Sequence, residues 1–119
     1  MKITNEQIFN LYDTLNEIIS NKDNILPVRT GFNFIKNFRM ITEARAAIDE
    51  ARQRIVKVEC ENPQNPTPQE IEKINIKLIE LGAIEDELPL ILIPLDEILE
   101  LKLSLYEMNA LMPILKSEE

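Results

Sequence analysis

The stretch FNFIKNFRMITEARAAIDEARQRIVKV, residues 32–58, repeats two kinds of residue at seven-residue intervals. Large side chains occupy one register, and smaller ones mostly follow three residues later. The first register holds Phe34, Ile41, Ile48 and Ile55, and the second holds Asn37, Ala44, Ala51 and Val58. This repeat is the spacing of packed helices, and alanine lets a facing backbone come close. It predicts a helix over about 32–58 with a packing seam along one side.

The segment before this stretch carries the signals of a first helix. Thr4 is followed three residues later by Gln7, the spacing of a capping box in which each side chain satisfies a free backbone N–H. Apolar residues then recur every three or four positions, which gives the helix one apolar face. These patterns predict a helix over 5–20. Between the two helices, Pro27 and Gly31 favour a connector or a short strand.

A third helix is predicted after a proline-rich connector. Thr67 is a capping residue, Pro68 stands at the first helical position, and Glu70 completes the capping box. Apolar residues at helical spacing then continue to Gly82, the expected terminator. The pattern predicts a helix over 68–81. It would fold back antiparallel on the second helix and form a long helical hairpin.

The last third of the sequence mixes short elements. The apolar, proline-bounded run LPLILIPL at 88–95 predicts a short strand, and LKLSL at 101–105 alternates like a second one. Ser104 and Glu107 form another capping box before a short helix that Pro113 would end. We therefore predict a mainly α fold, in which a long helical hairpin carries a small two-stranded β element and a short carboxy-terminal helix.

Length bounds the domain organisation. A chain of 119 residues and 13.8 kDa predicts a single domain, 1–119, with little core to spare. Its parts would be amino-terminal helices in 1–60, a connector at 61–67, and a third helix with a small α/β end in 68–119. The chain end, 116–119, is expected to fray.

The seam of the second helix suggests self-association. A small chain has few elements to cover a stripe of four heptads, so we expect a homo-oligomer, with a dimer as its simplest form and its copy number left open. Helix 1 or helix 3 could instead fill the seam within one chain. The predicted seam residues are Phe34, Ile41, Ala44, Ile48, Ala51 and Ile55.

Composition argues against several function classes. The sequence contains no histidine, so the usual general base near neutral pH is missing and no Ser/His or Cys/His pair can be assembled. We predict a protein that is not an enzyme and that needs no cofactor or metal. Cys60 is the single cysteine, and no amphiphilic leader follows Met1, so a reducing cytoplasm is expected. The longest apolar run, 88–95, is too short to cross a bilayer.

Charge is distributed unevenly. The net charge of −8 divides into +2 for residues 1–57 and −10 for residues 58–119. So acidic a chain is not expected to bind duplex nucleic acid directly, because that affinity depends on cations that neutralise phosphates. The asymmetry suggests two ends with different partners or a head-to-tail association, although a solubilising surface would also explain it.

A cluster of cations and phenylalanines marks the start of the second helix. Arg29, Lys36 and Arg39 are the candidate contacts for an anionic small molecule or a host protein. Positive charge at a helix amino end favours an anion, and a phenylalanine ring could stack on a flat group. The alternative is that the phenylalanines, Phe34 above all, anchor the core while the cations decorate the outer surface.

Other charged groups have simpler interpretations. Three arginines of the second helix are placed at helical spacing to pair with acids such as Asp49: Arg45, Arg52 and Arg54. Arg45 and Arg52 are one heptad apart and would flank the seam. The acids at 85–87 are expected to be solvated surface, since without His or Cys only a weak hard-cation site could form.

Five segments together resemble a family of small uncharacterised proteins from tailed phages and prophages of low-GC bacteria. They are KITNEQIFNLYDTLNEI at 2–18, LPV at 26–28, the helix-2 stretch at 32–57, PLDEIL at 94–99 and LSLYEMNAL at 103–111. The likeness covers most of the chain, but its segments carry no catalytic motif. It implies a phage origin and expression in the cytoplasm of an infected bacterium, with no activity to transfer.

Three functions fit this sequence. The first is a non-enzymatic inhibitor of a host antiviral defence system, which would bind a host protein or sequester its nucleotide signal. The second is a virion assembly or tail accessory protein. The third is an acidic mimic of DNA, which the interleaved leucines of the second half disfavour. Neither the partner's identity nor the choice between a protein and a nucleotide ligand follows from the sequence, and we favour the inhibitor.

Overall fold

The computed structural model describes residues 2–116, and helices form most of this part of the chain. The helices are α1 (Asn5–Ser20), α2 (Val28–Glu59), α3 (Pro68–Ala83) and α4 (Leu105–Leu111), with 3-10 turns at Leu95–Ile98 and Met112–Ile114. The strands are β1 (Lys2–Thr4), β2 (Glu85–Glu87), β3 (Ile93–Pro94) and β4 (Leu115–Lys116). The predicted mainly α architecture is confirmed. The fraying expected of the chain end falls mostly on 117–119, outside the described residues.

Helix α2 is the spine of the molecule. Its 32 residues span about 48 Å at 1.5 Å per residue, close to the longest dimension of the molecule, 51 Å. Helices α1 and α3 both pack antiparallel to it, and they meet end to end. At that junction the Asn5 backbone N–H donates to the Ile84 carbonyl at 3.0 Å, and the Asn5 side-chain amide donates to the Leu81 carbonyl at 2.8 Å.

The hydrophobic core lies between α1, α2 and the carboxy-terminal segment. Phe34 and Ile41 of α2 are fully buried there, and Ile48 is nearly so. They pack with apolar residues of α1 and of the segment 88–116. By contrast, α3 contributes no buried residue along its 16 positions. The core therefore occupies one end of α2 and thins towards the other.

Helix α2 begins four residues earlier than the predicted position 32. Gly31 lies inside the helix without a positive φ, and its N–H donates to the Pro27 carbonyl at 3.0 Å. The expected connector or strand over 28–31 is therefore wrong. Thr30 explains the difference, because its buried hydroxyl donates to the Glu97 carboxylate at 2.7 Å. This tertiary contact outweighs the weak helical propensity of glycine.

Helix α3 continues past its predicted end. Gly82 was the expected terminator, but it remains helical, and the helix ends at Ala83. Ile84 is already extended and leads directly into β2. Pairing of β2 with β1 thus replaces a glycine cap as the means of ending the helix.

The strands form two separate ladders. In the predicted strand 88–95 only Ile93–Pro94 is extended in a ladder, and it pairs in parallel with Leu115–Lys116. The second predicted strand, 101–105, is wrong. Leu101 and Leu103 pack on the core without a ladder partner, so their alternation reflects burial. The antiparallel pairing of Lys2–Thr4 with Glu85–Glu87 was not predicted, since the acidic strand lacks apolar alternation.

Asn37 fastens the carboxy-terminal segment to α2. Its side-chain amide donates to the Ile91 carbonyl at 2.9 Å, and its side-chain oxygen accepts from the Ile91 N–H at 2.7 Å. Asn37 itself is fully buried. A buried side chain that satisfies both backbone groups of one residue fixes that segment in register. Within residues 2–116 no helix is both long and apolar enough to cross a membrane.

Candidate functional site

The three predicted contact residues lie on one side of the first turns of α2. Arg29 and Lys36 are one heptad apart, and Arg39 follows one turn later, so all three project in a similar direction. Each is exposed, and none makes an ion pair with another residue of the described part of the chain. No acid occurs between Asp23 and Glu43. The structure therefore brings the predicted cations together as an unneutralised group.

Exposed apolar side chains lie among these cations. Val28 is 91% exposed, Phe32 55% and Ile35 43%. The Lys36 Nζ lies 4.7 Å from the centroid of the Phe32 ring, within the range of a cation–π contact. We call the surface formed by Val28, Arg29, Phe32, Ile35, Lys36 and Arg39 the basic face. It combines positive charge with apolar area in a way that favours an acidic, partly apolar partner.

The basic face has a rigid support. On the opposite side of the same turns, Thr30, Phe34 and Asn37 are fully buried. Thr30 and Asn37 hold the carboxy-terminal segment through the hydrogen bonds described above. A surface on a helix fixed in this way is presented with little loss of backbone conformational entropy on binding.

The three phenylalanines near the cations have three different roles. Phe34 is fully buried in the core, so it has no open face for a ligand. Phe38 stacks on Tyr12 of α1, with ring centroids 5.1 Å apart. Phe32 alone of the three keeps a largely exposed ring. Phe34 therefore anchors the core, as the alternative predicted, and Phe32 is the ring of the three that is placed to stack on a ligand.

The amino terminus of α2 adds to the positive potential of this surface. Pro27 occupies the N-cap, and no side chain accepts from the first backbone N–H groups. Free N–H groups at a helix start carry a partial positive charge. Arg29 is two residues from the cap, so its charge and the partial charge of the helix end act on the same region.

The predicted seam residues are divided between core and surface clefts. Phe34, Ile41 and Ile48 are buried, and Ala44 packs beside them. Ala51 and Ile55 are only partly buried. Within a single chain, α1 and the carboxy-terminal segment cover the first part of the seam. This corresponds to the intramolecular alternative, and the register that motivated a dimer through α2 is mostly occupied by the chain itself.

A ladder of arginines and aromatic rings joins α1 to α2. The Arg45 guanidinium lies 4.1 Å from the Tyr12 centroid and 4.9 Å from that of Phe9, and the Arg52 guanidinium lies 4.3 Å from Phe9. The guanidinium groups of both arginines also approach the Asp49 carboxylate, at 3.7 and 3.9 Å, which confirms the predicted pairing for these two. Arg54 makes no ion pair with another residue of 2–116. The contacts with α1 were not predicted. We interpret the ladder as a structural fastening of the two helices.

Two adjoining clefts lie on one side of the α2–α3 hairpin. The first, of about 550 Å³, lies at the junction of α1 with α3, and its wall includes Phe9, Ile48 and Ile79. The second, of about 470 Å³, follows α2 towards its end and is lined by Val56 and Lys57, among others. Both are lined by Arg52 and Leu78. We call this pair of clefts the hairpin groove.

Cys60 and the acids of β2 are the other groups whose chemistry the sequence brings into question. Cys60 is buried as a free thiol at the end of α2. Within residues 2–116, no cluster of three or more His, Cys, Asp or Glu side chains is arranged to hold a metal ion. The acids of β2 are exposed, as expected of solvated surface.

Comparison with protein-family models, curated proteins and solved structures finds no match for this chain. Support for a function therefore comes from the geometry of the chain itself. The basic face is the feature that sequence reasoning found only in part. It located the cations and the phenylalanines beside them, Phe32 included, but missed that Val28 and Ile35 line up with Phe32. Their four- and three-residue spacing becomes visible only when the helix begins at Val28.

Proposed function

We propose that this protein is a non-enzymatic binding protein whose basic face docks onto an acidic, partly apolar surface of another protein. In the phage setting implied by the sequence resemblance, the partner is a component of a host antiviral defence system. The protein then acts as its inhibitor in the cytoplasm of the infected bacterium. The proposal rests on one observation, the six-residue basic face on a chain whose net charge is −8.

Electrostatics favour this face as the contact surface. A cluster of cations on an otherwise acidic chain focuses an acidic partner on one place, and repulsion elsewhere disfavours other orientations. The ion pairs given above involve other cations, so Arg29, Lys36 and Arg39 need not break an internal ion pair before they bind. The exposed side chains of Phe32 and Val28 then contribute apolar contact area, which the charged groups do not supply.

The shape of the face favours a protein over a free nucleotide. A small ligand is usually bound in a concave site that buries most of its surface. The basic face instead follows the convex outer side of one helix, and its cations approach a ligand from one direction only. Such a helix surface matches a groove or shallow surface on a protein partner.

The test compares two triple variants of equal charge. Arg29→Glu, Lys36→Glu and Arg39→Glu together reverse the basic face, while Lys22→Glu, Arg54→Glu and Lys102→Glu reverse three exposed cations elsewhere. Both variants should keep the wild-type circular dichroism and melting temperature within a few degrees. We expect wild type and the control to capture the same proteins from the lysate of a defended host and to protect phage, and the basic-face variant to do neither.

A further pair of readouts identifies the partner class. Capture by wild type should weaken steeply with added salt, because exposed charges are screened within about 10 Å at 0.1 M. Phe32→Ala should weaken capture without changing the net charge. The proposal is wrong if the basic-face variant binds and protects as well as the control. Recovery of a bound nucleotide in place of a protein would also contradict it.

A further inference from the structure

We propose that the hairpin groove is the docking site for a second copy of this chain, which inserts the outer face of its own α3. The result is an isologous dimer in which two α2–α3 hairpins form a four-helix bundle. This inference is independent of the basic face and of the function proposed for it. It also places self-association on α3 and the groove beside it, a surface that shares only Ile48 with the predicted seam of α2.

Helix α3 is incompletely covered within one chain. Along its 16 residues no side chain is buried, although the helix is rich in isoleucine and leucine. Ile76 is 52% exposed and Ile79 73%. Val58, near the end of α2, is 69% exposed. A two-helix hairpin cannot surround its own apolar side chains, whereas four helices can.

The outer face of α3 carries apolar residues at helical spacing. Ile76, Ile79 and Ala83 follow one another at intervals of three and four residues, so they lie on one side of the helix. This side differs from the one formed by Ile74, Leu78 and Leu81, which are partly buried. Helix α3 thus has a second apolar stripe, of the kind that packs in a helical bundle.

The stripe and the part of the groove that follows α2 carry complementary charges. Arg52 and Lys57 line that part of the groove, while Glu6 lines the other end of the groove, near α1. Glu72 and Glu80 border the stripe. Within residues 2–116, Lys57, Glu72 and Glu80 make no ion pair. A two-fold axis near Ile76 and Ile79 sets the two α3 helices antiparallel, which directs the partner's Glu80 towards Lys57. The same surface serves on both copies, as an isologous contact requires.

The test begins with the mass of the wild-type protein by light scattering at tens of micromolar. We expect twice the 13.8 kDa of the chain. Ile79→Glu should give the monomer mass with unchanged circular dichroism, because the substituted side chain is exposed in the single chain. The matched control is Leu105→Glu, since Leu105 is a 90% exposed leucine outside α3. That variant should remain a dimer.

Charge reversal tests the proposed orientation. Lys57→Glu and Glu80→Lys should each weaken the dimer at least several-fold, because like charges then face each other across the two-fold axis. Mixing the two variants should restore association, since each heterodimer regains attractive pairs. The mixture separates a contact between copies from a structural effect within one chain, and it remains informative if Ile79→Glu fails to fold.

Three results would overturn the inference. One is a wild-type protein that is monomeric at tens of micromolar, which would mean that the groove binds a helix of another protein or stays in contact with solvent. Another is a dimer that persists in Ile79→Glu and in both charge variants, which would place the interface elsewhere. The last is a mixture of Lys57→Glu and Glu80→Lys that associates no better than either variant alone.

Discussion

The two halves of α2 carry the same seven-residue repeat but have different surroundings. In the first half, Phe34 and Ile41 are fully buried beneath α1 and the carboxy-terminal segment. In the second half, α1 reaches only as far as Ile48 and Arg52. Beyond them α3 covers the helix, and Ile55 and Val56 remain partly exposed. A repeat of apolar residues thus defines which side of a helix packs. The number of elements around it decides how completely that side is buried.

The largest expected difference is between removing an isoleucine from the first half of α2 and removing one from α3, the helix that packs on the second half. Ile41→Ala should lower the free energy of unfolding by about 2–5 kcal/mol, because it leaves a cavity in a packed core. Ile76→Ala should change it by less than about 0.5 kcal/mol, since this side chain is mainly in solvent. Denaturant titration in the Ile79→Glu background keeps self-association out of both measurements. Equal effects would contradict the contrast between the halves.

The hydrogen bonds between Asn37 and Ile91 help to keep the carboxy-terminal segment on the first half of α2. Asn37→Ala removes both hydrogen bonds to Ile91 and should destabilise the protein by about 1–3 kcal/mol for each buried backbone group left without a partner. The loss should appear first as faster hydrogen exchange in 88–95. Thr42→Ala is the control, because its exposed hydroxyl bonds only to the Phe38 carbonyl of its own helix. If Asn37→Ala destabilised the protein no more than Thr42→Ala does, apolar packing alone would hold the segment 88–95.

The smallest expected effect concerns pH at the starts of α1 and α3. The backbone N–H of Thr67 and then that of Glu61 donate to the Glu70 carboxylate, at 2.8 and 3.1 Å. These bonds, the Thr67 contact first, lower the pKa of Glu70 below its ordinary value of 4.5. The stabilisation is therefore present above that value and is lost as the pH falls through the lower pKa of the folded state. The corresponding residue of α1 is Gln7, which does not titrate.

The different responses of the starts of α3 and α1 to pH can be followed residue by residue. As the pH is lowered from neutral, the amide signals of Thr67 and Glu61 should shift and exchange faster, with a midpoint below 4.5. The Thr4 amide, which donates to the uncharged Gln7 side chain, should show no matching increase in exchange rate. Glu70→Gln should remove the transition at α3 while other acids still titrate. A midpoint at or above the ordinary glutamate value would contradict the hydrogen-bond explanation.

Local signals in the sequence predicted the helices well. The capping boxes at Thr4, Thr67 and Ser104 all form, because each depends on residues only three positions apart. The early start of α2 could not be predicted in this way. It depends on Thr30 meeting Glu97, 67 residues away. The β1–β2 pairing likewise joins the two ends of a long connection and leaves no local signature in the acids of β2.

The candidate site was predictable in its charges and not in its apolar part. Arg29, Lys36 and Arg39 stand out in the sequence because no acid interrupts them. Whether a neighbouring phenylalanine faces the core or the solvent depends on where the helix begins and on what covers it. In the structure Phe34 faces the core, whereas Phe32 is largely exposed to solvent. The hairpin groove could not be predicted either, since it requires α1 and α3 to meet over α2.

The central claim is that the α1 half of the molecule is complete in one chain while the α3 half is completed by a second copy. Amide hydrogen exchange across a series of protein concentrations tests it most directly. We predict that protection of 71–83 rises with concentration, while protection of the buried turns of α1 stays constant. The claim is contradicted if, at the lowest concentration, α3 is already as protected as α1 and its exchange does not depend on concentration.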